Sequence, residues 1–151
     1  MQSDDIYRQK LAQLAASIKA WSGFVADVAR VETSEDGPVW RFSMQPRAAR
    51  ACPCEIALDS ATQGCDLSIG GETFEGFALP SLDIVLPLLK AVAEGQVVTR
   101  HYSSAATGLP VSTSTVITLE NGTRLEAGNA QTADGLECRP VHFVPYRKPG
   151  T

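Results

Sequence analysis

The sequence predicts an α+β fold in which two helices pack on one face of a twisted, mainly antiparallel sheet. Two segments repeat their apolar residues at helical spacing, and most of the remaining chain alternates apolar and polar residues as strands do. The connections between strands are short, which favours antiparallel pairing. The predicted order is helix, hairpin, three strands, helix and three to four strands, which is not the βαβ alternation of a dinucleotide-binding crevice.

Length and composition predict one folded domain. The 151 residues are 44% hydrophobic and carry a formal net charge of −4 at pH 7. Such a chain buries a core and does not belong to the disordered class. We expect a single domain over residues 1–145 and a flexible C-terminal tail over residues 146–151.

The first helix is predicted over residues 4–21, because one apolar stripe recurs every three or four residues. Its members are Tyr7, Leu11, Leu14, Ile18 and Trp21. Ser3 can cap this helix, since its side-chain oxygen can accept from a free backbone N–H group. Alternating segments at 24–32 and 39–45 then predict a hairpin with its turn at residues 34–38.

A glycine pair allows the register of the next hairpin to be predicted. A two-residue Gly70-Gly71 turn sets Leu67 opposite Phe74 and collects the apolar side chains on one face. The same alternation places Cys54 and Cys65 on the buried side of their strands.

The second helix is predicted over residues 81–95, with Gly95 at the position that commonly takes a left-handed conformation after a helix. Pro87 is tolerated only near the first turn, so the regular helix should begin around Asp83 or later. The residues expected to bury against the sheet are Ile84, Leu88, Leu89 and Val92.

The last third of the chain is again predicted as strands. These lie at residues 97–103, 112–119, 123–127 and 136–144, with a turn at 133–135. A three-residue loop, Glu120-Asn121-Gly122, is favoured because it pairs Ile117 with Leu125, whereas a two-residue turn would pair it with Glu126. The hydroxyl-rich residues 104–111 predict an exposed loop that can carry recognition.

The charge balance and the N-terminus exclude several function classes. A net negative chain repels the phosphates of nucleic acids and of anionic membranes, and no stretch approaches the roughly 18 apolar residues that cross a bilayer. The first residues are acidic and no signal-peptide core follows them. Four cysteines are too few for a disulfide scaffold. We therefore expect a cytoplasmic protein that binds neither nucleic acid nor membrane.

The favoured function is a non-enzymatic protein-interaction module, either homo-oligomeric or a small acidic protein that binds another protein. The residues contain no coherent catalytic set and no cofactor motif, so no catalytic residue, cofactor or metal is assigned. The candidate partner-binding residues are Arg41, Arg47, Arg50, Arg100, His101, Tyr102, Arg139 and Arg147. The basic segments 41–50 and 139–148 either meet as one patch for an acidic partner or lie apart.

Two alternative functions use other residues. A structural zinc site or a redox pair would use Cys52, Cys54, Cys138 and His142, although the single residue between the first two cysteines is unusual for zinc. A small-molecule pocket between the second helix and the sheet would be lined by Ile84, Leu88 and Val92, with His101 or Tyr102 as its polar contact. Metal or a reactive thiol in the purified protein would distinguish the first alternative from the interaction module.

Overall fold

The computed structural model describes residues 3–128 and 135–147. Helix α1 spans Asp4–Val25, and helix α2 spans Val85–Ala93 directly after a 3-10 turn at Leu82–Ile84. The strands are β1 (Ala29–Asp36), β2 (Val39–Pro46), β3 (Cys54–Asp59), β4 (Gly64–Ile69), β5 (Glu72–Phe74), β6 (Val97–Ser104), β7 (Pro110–Thr118), β8 (Arg124–Gly128) and β9 (Leu136–His142). Residues 133 and 134 of the predicted turn and residues 148–151 of the predicted tail lie outside the described part of the chain.

The strands form two antiparallel sheets. The first is a meander with the order β1-β2-β3-β4-β5, and the second has the order β8-β7-β6-β9, so that the last strand pairs beside β6. The predicted α+β class and the order of the elements are confirmed. The prediction placed all strands in a single sheet, whereas the structure divides them between two sheets. Helix α2 separates β5 from β6 along the chain, and no ladder joins the two groups of strands within the described residues.

The hydrophobic core lies between the two helices and the inner faces of the two sheets. One buried cluster contains residues from each of these parts: Leu14, Ile18, Phe42, Ile56, Leu67, Leu88, Val92, Val97, Ile117 and Leu125. Each such side chain contributes about 1.5–3 kcal/mol when it is fully removed from water, so this cluster is the main source of stability. The core face of α2 agrees with the prediction for Leu88, Leu89 and Val92, while Ile84 is only half-buried.

Helix α1 extends four residues beyond its predicted end. Val25 continues the buried stripe of Leu14 and Ile18, so Gly23 is tolerated inside the helix at a modest cost in propensity. The prediction that a strand begins at Phe24 was therefore wrong. Phe24 lies in the helix with 82% of its surface exposed.

The turns agree with the local sequence. The hairpin of β4 and β5 pairs Leu67 with Phe74 and turns at Gly70-Gly71, as predicted. The loop Glu120-Asn121-Gly122 is also confirmed, since the Leu119 N–H donates to the Thr123 carbonyl at 2.8 Å. The first hairpin has a tighter turn than predicted, because β1 and β2 continue to residues 36 and 39 on either side of two turn residues.

Helix α2 ends in a Schellman motif around Gly95. The Gly95 N–H donates to the Val92 carbonyl at 3.1 Å, and the Gln96 N–H donates to the Ala91 carbonyl at 2.9 Å. Gly95 has φ +77°, and a Cβ built on it would lie 2.7 Å from the Pro145 nitrogen. The chain that follows β9 therefore crosses directly over the end of α2.

Candidate functional site

Strand β9 is an edge strand of the second sheet and is exposed on both of its faces. It pairs with β6 on one side only. Every side chain from Glu137 to His142 is exposed, and Leu136 is half-buried. No layer of the described structure therefore covers either face of this strand.

Hydrogen bonds at both ends of β9 show which backbone groups face outward. The Phe143 N–H donates to the Val97 carbonyl at 3.3 Å, and the Ala105 N–H donates to the Gly135 carbonyl at 2.8 Å. Odd-numbered residues of β9 thus face β6, because backbone groups alternate between the two sides of a strand. The even-numbered residues present their backbone groups to the open side: Leu136, Cys138 and His142 an N–H and a C=O, and Pro140 a C=O only.

Pro140 fits this arrangement. It lies opposite Arg100 and, as an outward-facing residue, would have donated no hydrogen bond to β6. Proline within a sheet is confined to such positions because it has no N–H group. The open edge consequently offers donors from Leu136, Cys138 and His142 and carbonyl acceptors from these residues and Pro140.

The open edge ends where the chain pairs with itself. The outward-facing Val144 N–H donates to the Arg50 carbonyl at 3.0 Å, and Ala51 forms a parallel bridge with Val144. Two residues later, the Tyr146 hydroxyl donates to the Cys52 carbonyl and the Tyr146 N–H donates to the Ala93 carbonyl. Tyr146, which the sequence assigned to a flexible tail, is thereby anchored to the domain.

Four of the predicted partner-binding residues lie on β6 and β9. His101 is directly opposite Arg139, and both side chains are exposed. Arg100 and Tyr102 point to the other face of the sheet, where Arg100 is half-buried and Tyr102 is 6% exposed. Arg139 and His101 therefore form the accessible basic pair beside the open edge.

The remaining predicted basic residues lie elsewhere. Arg41 is in the middle of β2 on the first sheet, between Ser34 and Ala57. Arg47 lies just after β2, with its N–H donating to the Val28 carbonyl at 2.9 Å. The two basic segments meet through the backbone bond between Arg50 and Val144, three residues before Arg147, so only their ends are brought together.

The predicted zinc or redox residues are dispersed. Cys52 and Cys54 are buried, whereas Cys138 is exposed on the open edge. His142 lies four residues along β9 from Cys138, about 13 Å away for an extended strand. Among residues 3–128 and 135–147, no three His, Cys, Asp or Glu side chains are grouped so that they could hold a metal ion.

The buried thiols also lack the electrostatics of reactive cysteines. Burial raises the pKa of Cys52 to about 12, against a smaller lowering by the Gly70 backbone N–H, and burial also raises the pKa of Cys54. A reactive thiol needs the opposite shift, because the thiolate is the nucleophile. Cys52 and Cys54 therefore behave as core residues.

The predicted small-molecule pocket is filled by core packing. Leu88 and Val92 are completely buried, whereas His101 is exposed on the sheet. Two hollows, of about 440 and 320 Å³, lie on the outer face of the first sheet and share Glu32, Ser43 and Glu55.

Sequence reasoning missed that β9 is an edge strand with an open side. The signal was Pro140, because a proline inside an alternating segment indicates an edge strand. Glu137 and Cys138, which flank the open side with Arg139, were consequently not named among the candidate partner-binding residues.

The comparisons give no relative from which a function can be taken. Family models, curated proteins and solved structures were searched without a match. Of the helices in the described residues, none combines the length and the apolar character needed to span a membrane.

Proposed function

We propose that the protein is a non-enzymatic protein-interaction module that binds an extended segment of a partner as an additional strand on the open edge of β9. The observation that carries this proposal is the row of outward-facing backbone groups at Leu136, Cys138, Pro140 and His142. None of these groups has a hydrogen-bond partner among the described residues. Strand addition satisfies such groups, and the flanking side chains then provide specificity.

The rigidity of β9 supports this function. The strand is held along its whole length by β6, and the chain beyond it is fixed by the bonds from Val144 to Arg50 and from Tyr146 to Ala93. A partner strand would therefore meet a backbone that is already extended, and only the partner would lose conformational freedom on binding.

The charges beside the edge indicate the kind of segment that fits. Arg139 and His101 project from one face, and Glu137 projects from the same face two residues before Arg139. Opposite charges on facing strands attract, and like charges repel. A suitable partner therefore places an acidic residue opposite Arg139 and a basic residue opposite Glu137.

The proposed location is the cytoplasm. It is supported by the four cysteines, all of which are free thiols. Thiols persist in reducing compartments, whereas oxidising compartments favour disulfides.

The decisive experiment removes one outward donor while keeping the strand. Cys138→Pro eliminates the central N–H of the open edge, and Cys138→Ala removes the thiol but keeps this N–H. A phage-displayed library of random linear peptides is selected on the wild-type protein, and the affinity of the selected peptides is measured for both variants. We expect unchanged binding to Cys138→Ala and at least about tenfold weaker binding to Cys138→Pro, the effect of roughly 1.4 kcal/mol.

A second proline variant controls for general effects of the substitution. The Val28 carbonyl accepts from the Arg47 N–H, so the odd-numbered residues of β1, including Thr33, face away from β2. Thr33→Pro therefore removes an outward donor from the edge of the other sheet. Peptides that bind Cys138→Pro as tightly as the wild type, or that are lost equally from Thr33→Pro, contradict the proposed function.

A further inference from the structure

We infer that the segment added to the open edge is the same edge of a second copy of this chain, in antiparallel orientation and with the two-fold axis at Cys138. This inference rests on the proposed function and names its partner. It depends on a property of Leu136–Pro140 that the edge alone does not require: the segment is complementary to itself.

The outward-facing residues limit the possible registers. Two β9 strands can form ladder hydrogen bonds only when outward-facing residues lie opposite one another. In a two-fold arrangement of this kind, one residue of the strand lies directly opposite the same residue of the other copy, and the two-fold axis passes between them. Within Leu136–Pro140, an axis at Leu136 would pair no other residue of β9 with a residue of the second β9, so the candidate axes are at Glu137, Cys138, Arg139 and Pro140.

Charge selects among these registers. An axis at Glu137 places two glutamates directly opposite, and an axis at Arg139 places two arginines opposite, both of which are unfavourable. An axis at Pro140 places two residues without N–H groups at the centre. An axis at Cys138 places Glu137 of each copy opposite Arg139 of the other, so the interface contains two attractive pairs.

The same register suits the backbone and the remaining side chains. The Cys138 N–H of each copy donates to the Cys138 carbonyl of the other. The Leu136 N–H of each copy reaches the Pro140 carbonyl of the other, and their apolar side chains are paired. The only bond that this segment lacks is the one that Pro140 cannot donate.

The rest of the molecule leaves room for this pairing. Among the described residues, the backbone pairing on the open side lies beyond the end of β9, at Val144, where Arg50 and Ala51 pair with it. In an antiparallel pair, these covered ends lie at opposite ends of the joint strand pair. The central segment of each copy is thus free to meet the other.

The other long edge is unsuited to self-pairing. β1 has three acidic residues, Glu32, Glu35 and Asp36, and one basic residue, Arg30, which already forms an ion pair with Glu32 at 2.6 Å. Two such strands would bring mostly like charges together in a protein whose net charge is already negative. The balanced segment on β9 is therefore the edge that fits a second copy.

The test uses charge reversal at two exposed residues. Glu137→Arg and Arg139→Glu each place like charges opposite in a homodimer, whereas an equimolar mixture of the two variants restores both attractive pairs. Sedimentation velocity over a concentration series should give a dimer for the wild type, a dimerisation constant weakened about tenfold or more for each variant alone, and recovery in the mixture. The double variant Glu137→Arg/Arg139→Glu should dimerise like the wild type.

The exposed thiol supplies a second measurement of the same register. Cys138 residues opposite one another have their Cα atoms about 5.5 Å apart, within the range of a disulfide. Diamide, an azo oxidant, can take two electrons and two protons from the two thiols and become a hydrazine. We expect a covalent dimer of the wild type and of the variant mixture, and none of Cys138→Ala or of either charge variant alone.

The outcomes separate this inference from the proposed function. A wild type that stays monomeric throughout the series, or a dimer that neither charge variant weakens, refutes pairing through β9 of a second copy. The peptide measurement on Cys138→Pro is independent of these results. Peptides that need the Cys138 N–H would keep strand addition as the function even when the second copy is refuted.

Discussion

The substitution Gly95→Ala tests how tightly the chain after β9 is held against the end of α2. Gly95 follows α2 with φ +77°, a left-handed conformation that costs an L-residue roughly 1–2 kcal/mol. An alanine Cβ there would also lie 2.7 Å from the Pro145 nitrogen and 2.8 Å from the Val144 carbonyl carbon. Both contacts are with backbone, so the crossing chain must move.

The movement has a cost that can be estimated from two hydrogen bonds. The crossing chain is fixed by the Val144 N–H on the Arg50 carbonyl at 3.0 Å and the Tyr146 N–H on the Ala93 carbonyl at 2.8 Å. Weakening them costs about 0.5–1.5 kcal/mol each. Together with the conformational cost, Gly95→Ala should lower the free energy of unfolding by about 2–5 kcal/mol.

Gly122→Ala is the matched control for this estimate. Gly122 has φ +87°, and a Cβ built on it meets nothing within 4 Å. Its replacement should cost only the conformational part, roughly 1–2 kcal/mol. Urea unfolding followed by tryptophan fluorescence gives both values, and equal losses for the two variants would refute the argument that Gly95 is required by the crossing chain.

Further expectations concern single side chains. A maleimide should label Cys138 alone in the native protein, because the other three thiols are buried. Burial raises the pKa of Cys52 and of Cys65 to about 12 and also raises that of Cys54. These thiols therefore deprotonate more readily in the unfolded chain, so stability should be full below about pH 8.5 and fall as the pH rises toward 12. Urea titrations at several pH values measure this loss, and a flat profile would contradict it. Ser114→Ala should raise the free energy of unfolding by about 1 kcal/mol, because the fully buried Ser114 hydroxyl has no hydrogen-bond partner within the described structure. Ser60→Ala should lower the free energy of unfolding by a similar amount, because the Ser60 hydroxyl donates to the Pro38 carbonyl at 3.1 Å and the variant loses this bond. Tyr146→Phe removes the hydroxyl that caps a buried carbonyl and should cost about 1–3 kcal/mol in the same assay; no loss would show that this bond does not anchor the chain.

The sequence was most informative where structure is decided locally. The turn at Gly70-Gly71 and the loop ending at Gly122 each require left-handed backbone at fixed positions, and alternation then determines the register on either side. Comparing two possible registers was sufficient to select the observed pairing of Ile117 with Leu125. The burial of Cys54 and Cys65 follows from the same alternation.

Long-range pairing could not be predicted in this way. Strand β9 lies beside β6, and no periodic pattern in either strand specifies the other as its neighbour. The division into two sheets depends on these contacts, as does the meeting of Arg50 with Val144. The end of α1 was missed for a related reason, since the burial of Val25 against the core outweighs the local preference of Gly23.

The features that restrain β9 also explain how a pairing edge can avoid open-ended association. Pro140 removes one donor from the open side, and the charges of Glu137 and Arg139 penalise registers displaced by one residue. In the two-fold arrangement each β9 is covered by the other, so the joint sheet ends at β8 in both copies. β8 has only five residues, Arg124–Gly128, and a short edge is a poor template for further strands. The proposed pairing through β9 would therefore close after two copies, which is the property that separates a defined dimer from a growing fibre.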